Sequence, residues 1–123
     1  MEFDELSQNV SGCAIEVHRN LGPGLLESSY RQCLACELVH ARIPFQMELS
    51  LPVRYKYLPL DCGYRIDLLI RSDLIVEIKS IVTLLPIHQA QILTYMRLSK
   101  VSLGLLINFN GTKLQNGIKR FVL

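Results

Sequence analysis

The chain has 123 residues, enough for one domain with a sizeable core, and half of them are hydrophobic. Its net charge of +2 is nearly balanced and no long run of Lys or Arg is present, so non-specific duplex binding by a broad basic surface is not indicated. No apolar run reaches the roughly 18 residues of a membrane span, and the acidic N-terminus lacks the features of a signal peptide. We expect a single domain over residues 1–123, cytoplasmic, not associated with membranes. Its apolar surplus favours a subunit interface, as in a homodimer.

Two helices are predicted at the beginning of the chain. Apolar residues recur at helical spacing from Phe3 to Val17, and the Gly-Pro-Gly sequence at 22–24 then interrupts the helix. A second helix is predicted from about Leu25 to Ala41, with Glu27 in its first turn, where the helix dipole favours a carboxylate. The residues of this helix expected to face inward are Leu26, Tyr30, Cys33, Leu34, Leu38 and Ala41.

A half-buried strand is predicted from Phe45 to Tyr57, because apolar residues occupy every odd position of that segment. Pro52 occupies an even position, where the side chains of this strand are expected to point outward. Since proline cannot donate to a strand ladder, it indicates an edge strand, a bulge or a break nearby. We expect a turn from Leu58 to Gly63.

The segment from Tyr64 to Ser80 reads as two short apolar strands joined by a polar turn, which predicts a hairpin. Three charged residues lie inside these strands: Asp67, Glu77 and Lys79. Burying a charge in a strand is costly unless it has a partner or a metal. These three residues are therefore the first candidates for a functional site.

The geometry of this hairpin decides whether the carboxylates meet. A three-residue loop at residues 71–73 would place Asp67 directly opposite Glu77, with Cβ atoms roughly 5 Å apart, and a two-residue turn corrected by a bulge near Asp67 would keep both on one face. A regular two-residue turn at residues 72–73 would put Glu77 on the other face. Two carboxylates that close repel each other unless a divalent cation lies between them or Lys79 screens them. Hard cations such as Mg²⁺ prefer oxygen ligands. The segment therefore suits metal-assisted phosphodiester hydrolysis, or equally a hairpin in which Lys79 neutralises Glu77.

A third helix is predicted to open at Pro86 and to run to about Leu98, because proline is favoured at the first helical position. His88, Gln91 and Tyr95 share one face of it. We expect His88 to be a residue of the helix surface, or one that supports a nearby site, rather than a metal ligand. Gln91 and Tyr95 would ordinarily form a polar helix surface, and only a nearby site would give them another role.

The remaining chain predicts two strands. The nearly continuous apolar run from Val101 to Phe109 is typical of a strand covered on both faces. Asn110-Gly111 indicates a turn, and residues 118–123 form a last strand. The third helix can cross over between the hairpin and the buried strand. The fold class is therefore α/β (α+β), with a mixed central sheet flanked by helices.

Four motifs, in this order, resemble those of a known family. The segment from Gly24 to Tyr30 resembles the signature of the GxxExxY protein family. Asp67 followed by the segment 77–79 resembles the D…(E)xK core of the PD-(D/E)XK nuclease superfamily, to which that family is assigned. The segment 91–95 resembles the QxxxY motif of its exonuclease-like branch, and residues 103–110 are also typical of the family. The ordered set covers nearly the whole chain and is more specific than ExK alone.

The resemblance implies a restriction-endonuclease-like αβα core and a nuclease that hydrolyses phosphodiester bonds of nucleic acid, with DNA as the expected substrate. Carried over by position, Asp67 and Glu77 would bind Mg²⁺ or Mn²⁺, assisted by the backbone carbonyl of Ile78. Glu27 would lie beside the metal, as a ligand through water or at a second metal. Ile66 stands where the superfamily's name has Pro, a residue that supplies no chemistry.

The resemblance also gives roles to the other candidate residues. Lys79 would position the attacking water and stabilise the developing phosphorane charge. Gln91 and Tyr95 would orient Lys79, the water or a phosphate. Because no DNA-reading module is visible, a protein partner could supply specificity. The alternatives to an active nuclease are a nuclease-fold module that binds nucleic acid or a protein and cuts little, and a structural homo-oligomer.

Overall fold

The elements follow the predicted order, with one added hairpin. The computed structural model describes residues 4–60 and 63–123. The predicted start of the first helix at Phe3 and residues 61–62 of the predicted turn lie outside the described residues. The elements are α1 (Glu5–Leu21), α2 (Glu27–His40), β1 (Phe45–Ser50), β2 (Val53–Tyr55), β3 (Leu58–Leu60), β4 (Arg65–Ile70), β5 (Leu74–Lys79), α3 (Pro86–Ser99), β6 (Leu103–Asn108), a 3₁₀ turn (Leu114–Gly117) and β7 (Ile118–Val122).

Five strands form one mixed sheet in the order β1-β4-β5-β6-β7. Strands β5 and β6 are parallel and are connected through α3, whereas the other neighbours are antiparallel. One core cluster packs α1 and α2 against one face of the sheet, and a second packs α3 against the other. The predicted mixed sheet flanked by helices is confirmed. Among the described helices, none is both long and apolar enough to cross a membrane.

Both N-terminal helices form as predicted, with differences at their ends. Asp4 caps α1 by accepting a hydrogen bond of 3.0 Å from the Ser7 N–H, and Gly22 ends the helix with a φ of 67°. Leu26 and Ala41 are exposed, so their predicted inward orientation is wrong. They are the residues that flank α2 at its two ends, where the chain leaves the helical spacing on which that prediction was based.

The segment predicted as one long strand is divided. β1 is an edge strand, and it ends before Pro52, as this proline indicated. The predicted turn from Leu58 to Gly63 is wrong for residues 58–60. These residues form β3, which pairs with β2 in a separate two-stranded sheet. The tight connection between them includes Lys56 with a φ of 54°, a left-handed conformation that two-residue hairpin turns require.

Side-chain alternation reverses in the middle of β1 and β4. Phe45 packs on the side of α1 and α2, whereas Leu49 packs on the side of α3, although residues four apart in a regular strand share a face. Glu48, between them, has a φ of 49°. In β4 the two residues that flank Asp67 likewise pack on opposite faces. Asp67 therefore lies where the regular strand geometry is interrupted.

Candidate active site

The loop between β4 and β5 sets the register of the central hairpin. Its three residues, 71–73, join Ile70 to Leu74, which are Cα partners. The first two loop residues have φ values of 54° and 60°, as in tight hairpin turns. The Cα pairing ends at Leu68 and Val76, so Asp67 and Glu77 are the next residues along the two strands. The predicted pairing of Ile70 with Leu74 is confirmed, and a regular two-residue turn at residues 72–73 is excluded.

The two carboxylates lie in the gap between β4 and β5. The Glu77 Oε1 atom accepts a hydrogen bond of 3.1 Å from the Asp67 N–H, and the Asp67 Oδ2 atom accepts one of 2.8 Å from the Ile78 N–H. Side chains thus take the place of backbone partners where the ladder between the strands ends. Glu77 is only 4% exposed.

Burial and mutual repulsion disfavour the ionised forms of both groups. Burial, followed by the charge of Asp67, raises the pKa of Glu77 to about 8. Burial also raises the pKa of Asp67, against the opposing effect of its hydrogen bond from Ile78. At neutral pH the chain alone therefore holds Glu77 largely protonated, and a divalent cation in the gap would favour its ionised form.

Lys79 connects the hairpin to α3. Its Nζ atom donates a hydrogen bond of 3.3 Å to the Gln91 Oε1 atom, and Gln91 Nε2 donates one of 3.1 Å to the Tyr95 hydroxyl. Burial chiefly raises the pKa of Tyr95, and the charge of Glu77 adds to this effect. In the chain as described, Lys79 forms no salt bridge, so the Lys79–Glu77 pair that a salt-bridged hairpin requires is missing.

The glycine and tyrosine of the GxxExxY segment shape the loop before α2. Gly24 has a φ of 100°, a conformation that strongly favours glycine. The buried Tyr30 hydroxyl donates a hydrogen bond of 2.6 Å to the Gly22 carbonyl and accepts one of 3.1 Å from the Leu25 N–H. Its ring stacks on Phe109, with centroids 4.5 Å apart. These two residues of the motif are therefore structural.

The same segment brings Glu27 towards the carboxylates. The Ser80 hydroxyl, directly after β5, donates a hydrogen bond of 2.6 Å to the Leu25 carbonyl and so fastens the loop to the end of that strand. Glu27 begins α2, and its charge is close enough to raise the pKa of Asp67. Within residues 4–60 and 63–123, its carboxylate makes no hydrogen bond or salt bridge, so it is free to bind a ligand.

Arg31 is a residue of this cluster that the sequence analysis missed. Its guanidinium lies 2.9 Å from the Glu48 carboxylate and 3.5 Å from that of Asp67, and its charge lowers the pKa of Asp67. Lys79 is therefore not the only cation near the carboxylates. The available signal was spacing, because Arg31 lies four residues after Glu27 on the same face of a helix.

The donor set fits a hard cation with an incomplete protein shell. No three His, Cys, Asp or Glu side chains converge into a metal site among the described residues. Mg²⁺, however, is usually held by one or two carboxylates together with waters and substrate phosphates. Asp67, Glu77 and the carbonyl of Ile78 offer oxygen ligands only, which suits Mg²⁺ or Mn²⁺ better than zinc.

Gln91 and Tyr95 also border a cavity of about 290 Å³ between α3 and the β2–β3 hairpin. Its other walls are mainly apolar and include Tyr64, Ile87 and Leu98, which are exposed. Neither Asp67 nor Glu77 lines it. Gln91 and Tyr95 thus belong both to the lining of this cavity and to the hydrogen-bonded chain that begins at Lys79.

Comparison with known families agrees with this arrangement. A family model described as the PD-(D/E)XK nuclease superfamily matches residues 4–121. The chain belongs to this superfamily. Searches among curated proteins and among solved structures found no match. The five-stranded mixed sheet with helices on both faces is consistent with the restriction-endonuclease-like fold of PD-(D/E)XK nucleases. Membership of the superfamily suggests a nuclease function, whereas assignment to the GxxExxY family stays a prediction.

Proposed function

We propose that this protein is a Mg²⁺- or Mn²⁺-dependent nuclease that hydrolyses phosphodiester bonds, with DNA as the expected substrate. The observation that carries the proposal is the pair of carboxylates, Asp67 and the buried Glu77, which lie together in the gap between β4 and β5 with raised pKa values. Such a pair destabilises the metal-free chain. A divalent cation would remove that cost, and membership of a nuclease superfamily supplies the chemistry for which the cation would be used.

In this proposal Asp67, Glu77 and the backbone carbonyl of Ile78 hold the metal, and Glu27 contributes through water or at a second metal. The metal supplies charge neutralisation at the scissile phosphate and activation of water. The chain fixes both carboxylates beforehand, because each accepts a hydrogen bond from the backbone of the opposite strand. Little side-chain entropy is then lost when the cation binds.

The ammonium of Lys79 holds the attacking water and stabilises the negative charge that develops on the phosphorane. Gln91 orients this ammonium through the hydrogen bond between them. Because the Tyr95 hydroxyl accepts a hydrogen bond from Gln91, its own proton is available to a phosphate oxygen. Gln91 and Tyr95 thus form a positioning chain behind Lys79.

We also propose that the chain belongs to the GxxExxY family and that a second copy, or another protein, covers the apolar rim of the 290 Å³ cavity. The Gly24–Tyr30 segment supports the first statement, because each of its motif residues has a distinct structural or electrostatic role. The exposed side chains of Ile87 and Leu98 support the second. Light scattering during size-exclusion chromatography, with Ile87→Glu as the variant, would show whether copies associate there.

Cleavage of labelled single-stranded, nicked and duplex DNA in Mg²⁺ or Mn²⁺ tests the proposed reaction. We expect metal-dependent cleavage by the wild type, and a loss of roughly 100-fold or more in Glu77→Gln and in Lys79→Met, because each removes an electrostatic element of the site. Glu16→Gln, which removes a carboxylate from the surface of α1, should retain full activity.

Two outcomes would contradict this proposal. Cleavage that persists at full rate in Glu77→Gln would assign the activity to another site or another protein. No cleavage of any substrate, together with retained metal binding, would favour the nuclease-fold binding module.

A further inference from the structure

A second cavity, polar and of about 390 Å³, opens beside the end of β5 and β6. We call it the lysine cavity, because Lys113 and Lys119 line it together with the loops at residues 82–84 and 111–112. Its described lining contains no carboxylate. The cavity is therefore positively charged, in contrast to the acidic gap between β4 and β5.

The register of the sheet places the lysine cavity near the carboxylates. Glu77 pairs with Leu106 in β6, and Leu106 pairs with Lys119 in β7. These residues form one cross-strand row on the face covered by α3. Neighbouring strands are about 4.8 Å apart, so the Cα atom of Lys119 lies about 10 Å from that of Glu77. Leu106, between them, is completely buried, so a ligand would pass from the carboxylates to the cavity around the ends of the strands, where Asn108 of the cavity lining pairs with Lys79.

A buried asparagine fixes the site and the cavity relative to each other. Asn108 is the Cα partner of Lys79, and its side chain exchanges two hydrogen bonds, of 3.1 and 3.0 Å, with the backbone of Ile81. On the cavity side, a Cβ atom at Gly117 would lie only 2.5 Å from the Asn108 carbonyl oxygen. The loop after β5 and the chain entering β7 are thus held against the same residue.

The lysines of the cavity are available to a ligand. Lys113 and Lys119 are both exposed, and over the described part of the chain neither forms a salt bridge. Unpaired ammonium groups in a cavity that adjoins the end of β5, beside the proposed hydrolytic centre, match an anion that extends past that centre. A phosphodiester backbone carries such evenly spaced charges, whereas a single phosphate ion would engage the cavity without reaching the carboxylates.

We propose that the lysine cavity binds the sugar-phosphate backbone of a polynucleotide on one side of the scissile bond. This inference rests on the proposed function and deepens it, because it makes the substrate a chain of several nucleotides rather than a terminal phosphate or a mononucleotide. The contact is to phosphates, so it supplies affinity and register without reading the sequence.

The test measures binding of a fluorescent single-stranded oligonucleotide in EDTA, where no metal-dependent cleavage occurs, as a function of NaCl concentration. The double variant Lys113→Gln/Lys119→Gln should bind roughly tenfold more weakly at 0.1 M salt, and the slope of log Kd against log salt should fall by about 1.4, or about 0.7 per lost phosphate contact. The Mg²⁺-induced rise in Tm should not change, because both substituted residues lie outside the carboxylate gap.

Arg42→Gln/Lys100→Gln is the matched control. It removes the same charge at the other end of the sheet, where Arg42 precedes β1 and Lys100 ends α3. We expect this control to leave the salt slope nearly unchanged.

Three results would overturn the inference: an equal slope in the two double variants, no binding by the wild type, or displacement of the oligonucleotide by inorganic phosphate more effectively than by sulfate at equal ionic strength. The last would assign the cavity to a free anion. If the wild type cleaves DNA while the slopes are equal, this inference fails and the proposed function stands. If the slope falls without any cleavage, the binding site stands and the proposed nuclease activity fails.

Discussion

Glu77 shows at the scale of one residue how the fold sets up its chemistry. Its side chain is almost completely buried, and the neighbouring charge that affects its pKa most is that of another carboxylate, Asp67. The Asp67 N–H offers one hydrogen bond, which favours the ionised form, but burial outweighs it and the pKa rises to about 8. The folded chain therefore binds this proton more tightly than the unfolded chain, where the pKa is near 4.5.

This shift gives a signed prediction for stability. The contribution of Glu77 to the free energy of unfolding is fully present below pH 4.5 and is lost as the pH rises through about 8. Glu77→Gln cannot ionise, so without metal it should become more stable than the wild type across that window, by on the order of a few kcal/mol above pH 8. Urea titrations at several pH values, with EDTA present, measure the difference.

Glu16→Gln removes one carboxylate from an exposed surface pair, and it reports the effect of the charge change alone. If the wild type and Glu77→Gln differ by the same amount at every pH, the buried pair is not under the electrostatic stress that supports the metal site.

At the scale of an element, α2 contributes charges of both signs to the site. Glu27 and Arg31 lie one turn apart, and Arg31 reaches Glu48 in β1 and Asp67 in β4. Glu48 has a left-handed backbone conformation, at the position where alternation in β1 reverses. The irregular backbone at Glu48 and Asp67 turns their side chains towards α2, where Arg31 contacts both.

Two arginine variants separate this contact from an ordinary surface pair. Arg31→Gln should lower the free energy of unfolding by about 1 kcal/mol at pH values where Asp67 is ionised, because it removes the guanidinium from a mostly buried carboxylate. Arg19→Gln breaks a pair with Glu16 whose length, 2.9 Å, equals that of the Arg31–Glu48 pair. The Arg19 side chain, however, is 71% exposed, against 17% for Arg31. The free energy of unfolding lost in Arg19→Gln should therefore be close to zero.

Urea unfolding of both arginine variants at neutral pH measures these differences. Equal losses would mean that Arg31 acts as a surface residue and has no specific relation to Asp67.

At the scale of the whole molecule, local rules predicted much of the fold. The loop at residues 71–73 predicted the pairing of Ile70 with Leu74, because the register of a hairpin follows from its turn type and loop length. The apolar run that contains β6 predicted a strand buried on both faces, and Pro86 marked the start of α3. These predictions succeeded because each depends on interactions within a few residues along the chain.

The features that could not be predicted depend on contacts between distant segments. The β2–β3 hairpin, which forms a separate sheet, was not predicted, because a proline within a strand is unusual. Arg31 was missed because its partners lie in β1 and β4, and hydrophobic periodicity carries no information about a charged side chain. His88 was expected to be a surface residue, and it accepts a hydrogen bond of 2.9 Å from the Leu85 N–H at the start of α3, a local capping contact that spacing alone did not reveal.

Metal binding also acts on the whole molecule, because a ligand that binds only the folded chain raises its Tm. At a hundredfold excess over Kd the gain is about 2.7 kcal/mol, or roughly 10 °C for a domain of this size. We expect Mg²⁺ to raise the Tm of the wild type, and to do so more strongly as the pH approaches 8, because the proton on Glu77 competes with the cation.

Two variants show where the cation binds. Asp67→Asn should lose the shift, because it removes a proposed ligand, whereas Lys79→Met should retain it or increase it, since an ammonium near the gap repels a cation. NaCl at equal ionic strength controls for general screening. If Mg²⁺ changes none of the three Tm values at any pH, the carboxylate pair is a structural feature that shares one proton. If all three shift equally, the cation binds elsewhere on the chain.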